Sequence, residues 1–344
     1  MELKVHKSVM DQLNEPQAMA AIRRVSDGYK SFQALLAGFR CGLFDWLAQH
    51  GPAARPDIAS ALDLRGAHLA GFLQALEDLG ALSRADGGYV LADGMDQVLC
   101  KGNPWYQGAV FEDMLAGSNG WSSLDRFMSA SWTAAEAARP ALAPRQHPFF
   151  GEADRLASYL RDHLAARQGA LRVLCFDGGE GQLAVALCRQ LPGAVVTAVV
   201  AEQGLEQARA AVAASGFEQR CSVRRGSALT PLEGEYDLGV LFHALYPLRR
   251  NTNDALAAVA GRLAPEGELF CAHWFCLEAC DTAPGGLRDL DKAVLTDSHP
   301  MCHVETFCER FGKIGLLDAD RADLHGEYGV TKLHFARKPE ASQE

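Results

Sequence analysis

The chain has 344 residues, long enough for two domains and a large buried core. Its 48% hydrophobic and 22% charged residues are ordinary for a globular protein, and 33 Lys+Arg against 43 Asp+Glu give a formal net charge of −10. Nucleic acid and anionic membrane surfaces would both repel such a chain, so neither is expected as a main partner.

The N-terminal MELKVHKSVMDQLNEPQ lacks the basic start and apolar centre of a signal peptide, and no apolar run approaches the roughly 18 residues of a membrane span. Ten cysteines lie between positions 41 and 308 without a regular framework, a pattern expected of reduced thiols in a cytoplasmic protein. The spacing of Leu35, Leu36, Phe39, Leu43, Phe44 and Leu47 predicts one helical face over residues 17–50, stopped by Gly51-Pro52. Two short helices, Asp57–Leu62 and Ala67–Leu79, are expected next, then a hairpin pivoting on Asp86-Gly87-Gly88.

Helix, helix and hairpin make a winged-helix pattern, which in other proteins reads DNA. Here residues 1–100 carry nine Lys/Arg against twelve Asp/Glu, and the second helix has no Lys or Arg. A DNA reader needs cations there to meet phosphates and base edges, so a dimerisation and lid module is the better reading.

Residues 101–150 read as helical, with Trp105, Trp121, Phe127, Met128 and Trp132 among small residues, and RPALAPRQHPFF (139–150) marks a boundary. After a helix at 152–167 the chain alternates: LRVLCF, GQLAVALCRQL, AVVTAVV, LEQARAAVAASG, CSVRRG, YDLGVLF, NDALAAVAGRL, GELFCAHWF, VETFCERFGKIG and TKLHFAR. Alternation of this kind predicts a parallel sheet with helices on both faces. The domains expected are 1–100, a helical linker and lid at 101–150, an α/β domain at 151–338, and a disordered tail at 339–344.

The order of these elements resembles the small-molecule O-methyltransferases that use S-adenosylmethionine. The likeness spans about residues 17–338 and rests on GLFDWLA, LAGFLQALEDLGAL, HPFF before a helix, VLCFDGGEGQLAVAL, LEQAR, YDLGVLFHALY, LAPEGELFCAHW and VETFCERFGKIG. It implies an α/β fold: a Rossmann-like class I methyltransferase domain with a mostly parallel seven-stranded sheet, preceded by a mainly helical winged-helix dimerisation domain. It also implies S-adenosylmethionine as cofactor, a homodimer formed through the N-terminal domain, and a small aromatic or polyketide-like hydroxyl compound as acceptor.

Four positions depart from the family pattern. The glycine-rich loop after the first strand aligns on Asp177, Gly179 and Gly181, with Gly178 also kept; Asp177 stands in place of the first glycine, and Cys175 where a carboxylate often ends the strand. Glycines let backbone N–H groups approach the ligand and permit unusual dihedrals. The ribose station ends in Val199-Val200, with Glu202 the nearest acid, open equally to a cofactor role or to that of an ordinary helix-start glutamate. The adenine station reads Gly226-Ser227 instead of Gly-Asp. Phe242, ending the fourth strand, is assigned with them to the cofactor side.

The fourth departure is chemical. Where the family carries a histidine that deprotonates the acceptor, this chain has Tyr246, a poor base and a better hydrogen-bond donor. His243 and His273 stand at neighbouring strand tips. They can form a relocated base, act as two metal ligands, or simply hydrogen-bond loop backbone. Trp121, Phe127, Met128 and Trp132 serve equally well as acceptor-pocket walls or as plain core, and His299 and His303 sit in a loop that caps the pocket in the family. The cysteines at 271, 276, 280, 302 and 308 have no CxxC spacing, so no metal is expected. Three functional classes stay open: a methyltransferase, an enzyme reusing the fold for other acid–base chemistry, and a non-catalytic ligand-binding or scaffold homologue.

Overall fold

The computed structural model describes residues 16–131, 142–167, 169–276 and 286–340. They fall into two units that divide between Glu112 and Asp113. The first contains α1 (Met19–Arg40), α2 (Leu43–His50), α3 (Arg55–Ala61), α4 (Gly66–Asp78), the strands β1 (Leu82–Ala85) and β2 (Gly88–Leu91), and α5 (Asp96–Leu99); α6 (Gly108–Met114) runs through the division.

The single helix expected over 17–50 is two. Gly42 takes φ 71°, a left-handed conformation that costs glycine little, and breaks the helix between Arg40 and Leu43. The break turns Phe44 back onto α1, where a Cβ on Gly38 would lie 2.5 Å from the Phe44 ring. Leu43, Phe44, Leu47, Ile58, Leu69, Leu73 and Leu76 are buried together as the core of this unit. Full burial stabilises each such side chain by about 1.5–3 kcal/mol. The hairpin pivots where expected: Asp86 and Gly87 have φ 49° and 77°, the two positive values that a tight two-residue turn between twisted strands demands.

The second unit continues with α7 (Leu124–Phe127), α8 (Phe150–His163), β3 (Leu171–Asp177), α9 (Gln182–Gln190), β4 (Ala194–Val200), α10 (Leu205–Ala214), β5 (Cys221–Arg225), β6 (Tyr236–Phe242), α11 (Thr252–Ala260), β7 (Leu263–His273), α12 (Gly286–Thr296), α13 (Glu309–Lys313), β8 (Leu317–Gly326) and β9 (Gly329–Arg337). The seven-stranded sheet has the order β5-β4-β3-β6-β7-β9-β8, parallel throughout except for β9 and β8. Its central strands are near-continuous apolar runs because both faces are covered. Leu174 and Phe176 face Val259 of α11 across a cavity of about 210 Å³ lined by none of the candidate residues, while Cys175 lies on the α9 side near Cys188.

Two further expectations need correction, and one strand was not expected. Among the described residues of 101–150, helix is limited to α6, α7 and the start of α8 at Phe150, with 3-10 turns at 120–123 and 144–146; 132–141 lie outside the described residues. VETFCERFGKIG is a 3-10 turn at 304–306 followed by α13. The polar edge strand β8, LDADRADLHG, had no expected counterpart, because most of its residues are exposed or half-exposed and carry no apolar alternation. Within the expected tail, 341–344 lie outside the described residues.

Candidate functional site

The chain steps outward from β3 to β4 and β5, then returns to place β6 on the other side of β3. The crevice for ligands in such a sheet opens at the carboxyl ends of its strands, at this reversal. Asp177 and Phe242 are paired there, the last residues of β3 and β6.

Asp177 does not project into the crevice. It follows Cys175 by one strand period and so shares its face, and its buried carboxylate turns back into its own loop. One oxygen accepts the Gly179 N–H at 2.7 Å and the other accepts the Ala184 N–H, in the first turn of α9, at 2.9 Å. Burial pushes the Asp177 carboxyl above its usual range, opposed by these amides and by the nearby His147. The carboxylate missing at position 175 is thus supplied two residues later, where it fixes the loop to the helix.

The glycines are held by the protein's own packing. A Cβ on Gly178 would lie 2.6 Å from the His243 carbonyl oxygen, one on Gly179 2.9 Å from the Phe242 ring, and one on Gly181 2.8 Å from Ala208 of α10. Gly181 adopts φ 90° and Glu180, rarely for a residue with a side chain, φ 54°. His147, from the HPFF motif, accepts the Phe149 N–H on Nδ1 at 3.2 Å, so its Nε2–H donates to Glu180 Oε2 at 3.1 Å. Phe242 itself is fully buried beneath the loop.

The other cofactor candidates are engaged locally. Glu202 is exposed in a 3-10 turn after β4 and pairs with Arg225 at 2.7 Å. Ser227 forms a turn, its N–H donating to Thr230 Oγ1 at 2.8 Å and its hydroxyl accepting the Leu229 N–H at 3.3 Å.

Beyond β6 the chain builds a buried polar relay. His243 has φ 49°, which carries its ring inward from the strand tip. The Trp274 backbone N–H donates to Tyr246 Oη at 2.8 Å, and Tyr246 Oη is hydrogen-bonded to His243 Nδ1 at 2.6 Å. His243 Nε2–H then donates to Glu152 Oε1 at 2.9 Å, which also accepts the Thr331 hydroxyl. Burial raises the Glu152 carboxyl, but the His243 ring, the Thr331 hydroxyl and the charge of Arg155 outweigh it and hold it below the usual range. Burial pushes the Tyr246 phenol well above its ordinary value.

His273 is separate from this relay in its bonding. Its Nε2 accepts the Leu245 N–H at 3.1 Å, leaving the proton on a buried Nδ1 that has no partner among the described residues. Burial, with the neighbouring His243 and His334, holds His273 well below its ordinary value and therefore neutral. No residue of the cluster Glu152, His243, Tyr246 and His273 is more than 6% exposed. These bonds tie the β6 tip to the end of β7, to α8 and to β9.

Among the aromatic candidates, Trp121 Nε1–H donates to Asp291 of α12 at 2.7 Å and Phe127 packs against Gly120. Met128 is exposed, and Trp132 lies outside the described residues. His303 is exposed with φ 59° at the start of the 304–306 turn, whereas His299 lies with Cys276 and Cys302, the ligand atoms of all three within 4.8 Å of one another. Sequence reasoning missed Glu152, His147 and Thr331. Glu152 carried a readable signal, an acid on the buried stripe that continues through Leu156 and Leu160 of α8.

A mostly parallel seven-stranded sheet with a glycine loop at its reversal defines the chain as having the class I O-methyltransferase fold, preceded by a helical unit. An O-methyltransferase family protein from Burkholderia thailandensis superposes with a TM-score of 0.72 at 17% identity, covering 95% of this chain and 100% of that one. Human N-acetylserotonin methyltransferase in complex with S-adenosylmethionine gives 0.62 at 17%, covering 95% and 99%. The N,N-8-amino-8-demethyl-D-riboflavin dimethyltransferase of Streptomyces davawensis gives 0.60 at 20%, covering 94% and 100%. No protein-family model and no curated protein sequence matches the chain. Among the described residues no helix is long and apolar enough to cross a membrane.

Proposed function

We propose that this chain binds S-adenosylmethionine over the β3–α9 loop and transfers its methyl group to a small hydroxylated molecule. The observation that carries the reading is the loop itself: Asp177 is turned inward onto Gly179 and Ala184, so its charge supports the loop's shape instead of opposing a ligand carboxylate. The backbone of Gly179–Gly181 would approach the methionine part, and Ser227 would lie on the adenine side. The Glu202 carboxylate, two-thirds exposed beyond its bond to Arg225, keeps lone pairs for ribose hydroxyls. When bound, the cofactor supplies an electrophilic methyl group, and the protein's contribution is proximity and alignment.

Tyr246 and His243 are hydrogen-bonded to each other and to Glu152 inside the buried relay, and His273 is buried and neutral. That favours an acceptor whose hydroxyl ionises readily without an enzymic base, such as a phenol or the enol of a polyketide-like compound. Along α1 an exposed apolar stripe, Ile22, Val25 and Tyr29, supports a homodimer through the N-terminal unit, which sedimentation equilibrium reports directly. The cytoplasm is the compartment this reading assumes.

The Glu202–Arg225 pair and the Ser227 turn favour a second reading, a small-molecule binder or enzyme of the same fold that no longer takes the methyl donor. Calorimetric titration with S-adenosylmethionine and S-adenosylhomocysteine separates the two. Micromolar binding of both is expected; no heat at millimolar ligand overturns the methyl-transfer reading and leaves the second.

A further inference from the structure

Beyond the end of β7 the chain brings together three side chains that are remote in sequence. Cys276 and Cys302, 26 residues apart, place their sulfurs 3.3 Å from each other, and His299 completes a group whose ligand atoms lie within 4.8 Å. The backbone prepares this meeting. Phe275 and Met301 form a parallel bridge, with the Cys276 N–H donating to the Met301 carbonyl and the Met301 N–H to the Trp274 carbonyl, each at 2.9 Å. Met301 is buried, so the segment carrying His299 and Cys302 is anchored between its two flanking ligands.

The imidazole is already oriented. His299 Nδ1 lies 2.8 Å from the Pro300 carbonyl, which can only accept, so the proton sits on Nδ1 and Nε2 carries the lone pair. A backbone carbonyl on the far nitrogen is the usual device that fixes the tautomer and direction of a metal-bound histidine.

We propose that Cys276 Sγ, Cys302 Sγ and His299 Nε2 are three ligands of a zinc site. Two thiolates and an imidazole exclude the oxygen-seeking Mg²⁺ and Ca²⁺ and suit a tetrahedral, borderline-soft ion. With Zn–S bonds of about 2.3 Å, tetrahedral thiolates stand about 3.8 Å apart, so the observed sulfurs need to open by about half an ångström. A disulfide would require them to close by more than an ångström, to about 2.05 Å. His299 is exposed and both cysteines are half-buried, which gives the ion an entry path. The site would clamp the 299–302 segment onto Trp274–Cys276, and Trp274 is the residue whose N–H holds Tyr246. It rests on no assumption about a methyl donor.

The test uses the full chain without an affinity tag, reduced and stripped of metal by a chelator. Titration with zinc sulfate, followed by metal analysis, is expected to give one tightly held zinc per chain and a raised unfolding temperature. Cobalt(II) in its place is expected to show the visible bands of a tetrahedral thiolate site. Cys276→Ser and Cys302→Ser should each weaken zinc binding by about 100-fold or more, because each removes a thiolate that neutralises the ion. His299→Gln, a change at an exposed side chain that leaves the fold intact, should weaken it by about tenfold or more and alter the cobalt spectrum. Zinc bound equally well by the serine variants, no zinc bound by the reduced protein, or thiols recovered only as a disulfide whose reduction restores no zinc binding would each overturn the site.

Discussion

The loop after β3 and the tip after β6 lie side by side at the carboxyl edge of the sheet, and each carries a residue that departs from the family pattern. At the first, Asp177 replaces a glycine and is absorbed by backbone amides, so the loop keeps the form of a ligand cradle. At the second, Tyr246 replaces a histidine and is absorbed by side chains, so the tip becomes a buried relay ending on Glu152. The lesson is that a substitution at a motif position has different structural consequences depending on which groups take up its polar atoms. Backbone amides at a helix start leave the ligand side of a loop unchanged. A buried phenol bonded to a histidine and to the Trp274 backbone amide is already engaged inside the protein.

The largest effect that would break this contrast lies at Glu152. Removing the carboxylate leaves the His243 Nε2–H and the Thr331 hydroxyl without partners in a closed interior. Each stranded buried donor costs about 1–3 kcal/mol, so Glu152→Ala is expected to lose about 3 kcal/mol of unfolding free energy at pH 7 by urea denaturation. A loss below 1 kcal/mol would mean that the relay does not hold the β6 tip.

Asp177→Ala should cost somewhat less, about 2 kcal/mol at pH 7, since backbone N–H groups near a helix start find other partners more readily. The two variants should respond oppositely to acid. Glu152 has its carboxyl lowered in the fold, so its contribution is complete above the unfolded value of about 4.3 and is lost as the pH falls through the lower, folded value. The deficit of Glu152→Ala therefore shrinks below about pH 4.3. Asp177 has its carboxyl raised by burial, so the folded state takes up its proton first and gains stability as the pH falls towards the unfolded value of about 3.9. The deficit of Asp177→Ala therefore grows on acidification, and parallel trends in the two variants would overturn the assignment of the two carboxylates to different environments.

Much of the fold is written in local patterns. The apolar runs of β3, β4 and β6, the glycines between β3 and α9, and the Asp86-Gly87 turn each follow from a period or a backbone requirement that short segments carry. What was not legible depended on contacts across the chain. β8 is a strand because β9 pairs with it, not because LDADRADLHG alternates. The same division holds at the site. Asp177 could be marked as unusual from its motif, but the direction of its carboxylate could not. Cys276, His299 and Cys302 share no spacing rule, since a strand exit and a distant loop meet only through the Phe275–Met301 bridge.

The smallest of these effects decides most sharply what Tyr246 is. Tyr246→Phe keeps the ring and removes only Oη, leaving the Trp274 N–H and His243 Nδ1 without their shared partner. A cost of about 1–2 kcal/mol is expected, below that of Glu152→Ala because the carboxylate and its two donors remain paired. Burial already keeps the phenol protonated, so its removal should take no ionisation out of the reaction. In a preparation that turns over, the pH–rate profile of Tyr246→Phe should keep its shape, with any fall in rate uniform across pH. A limb of the profile that disappears with the hydroxyl would make Tyr246 an acid or base in the chemistry, and would require the β6 tip to open during turnover. An unchanged profile with lowered stability leaves Tyr246 as the residue that positions Trp274 and His243, which is the role its two hydrogen bonds already describe.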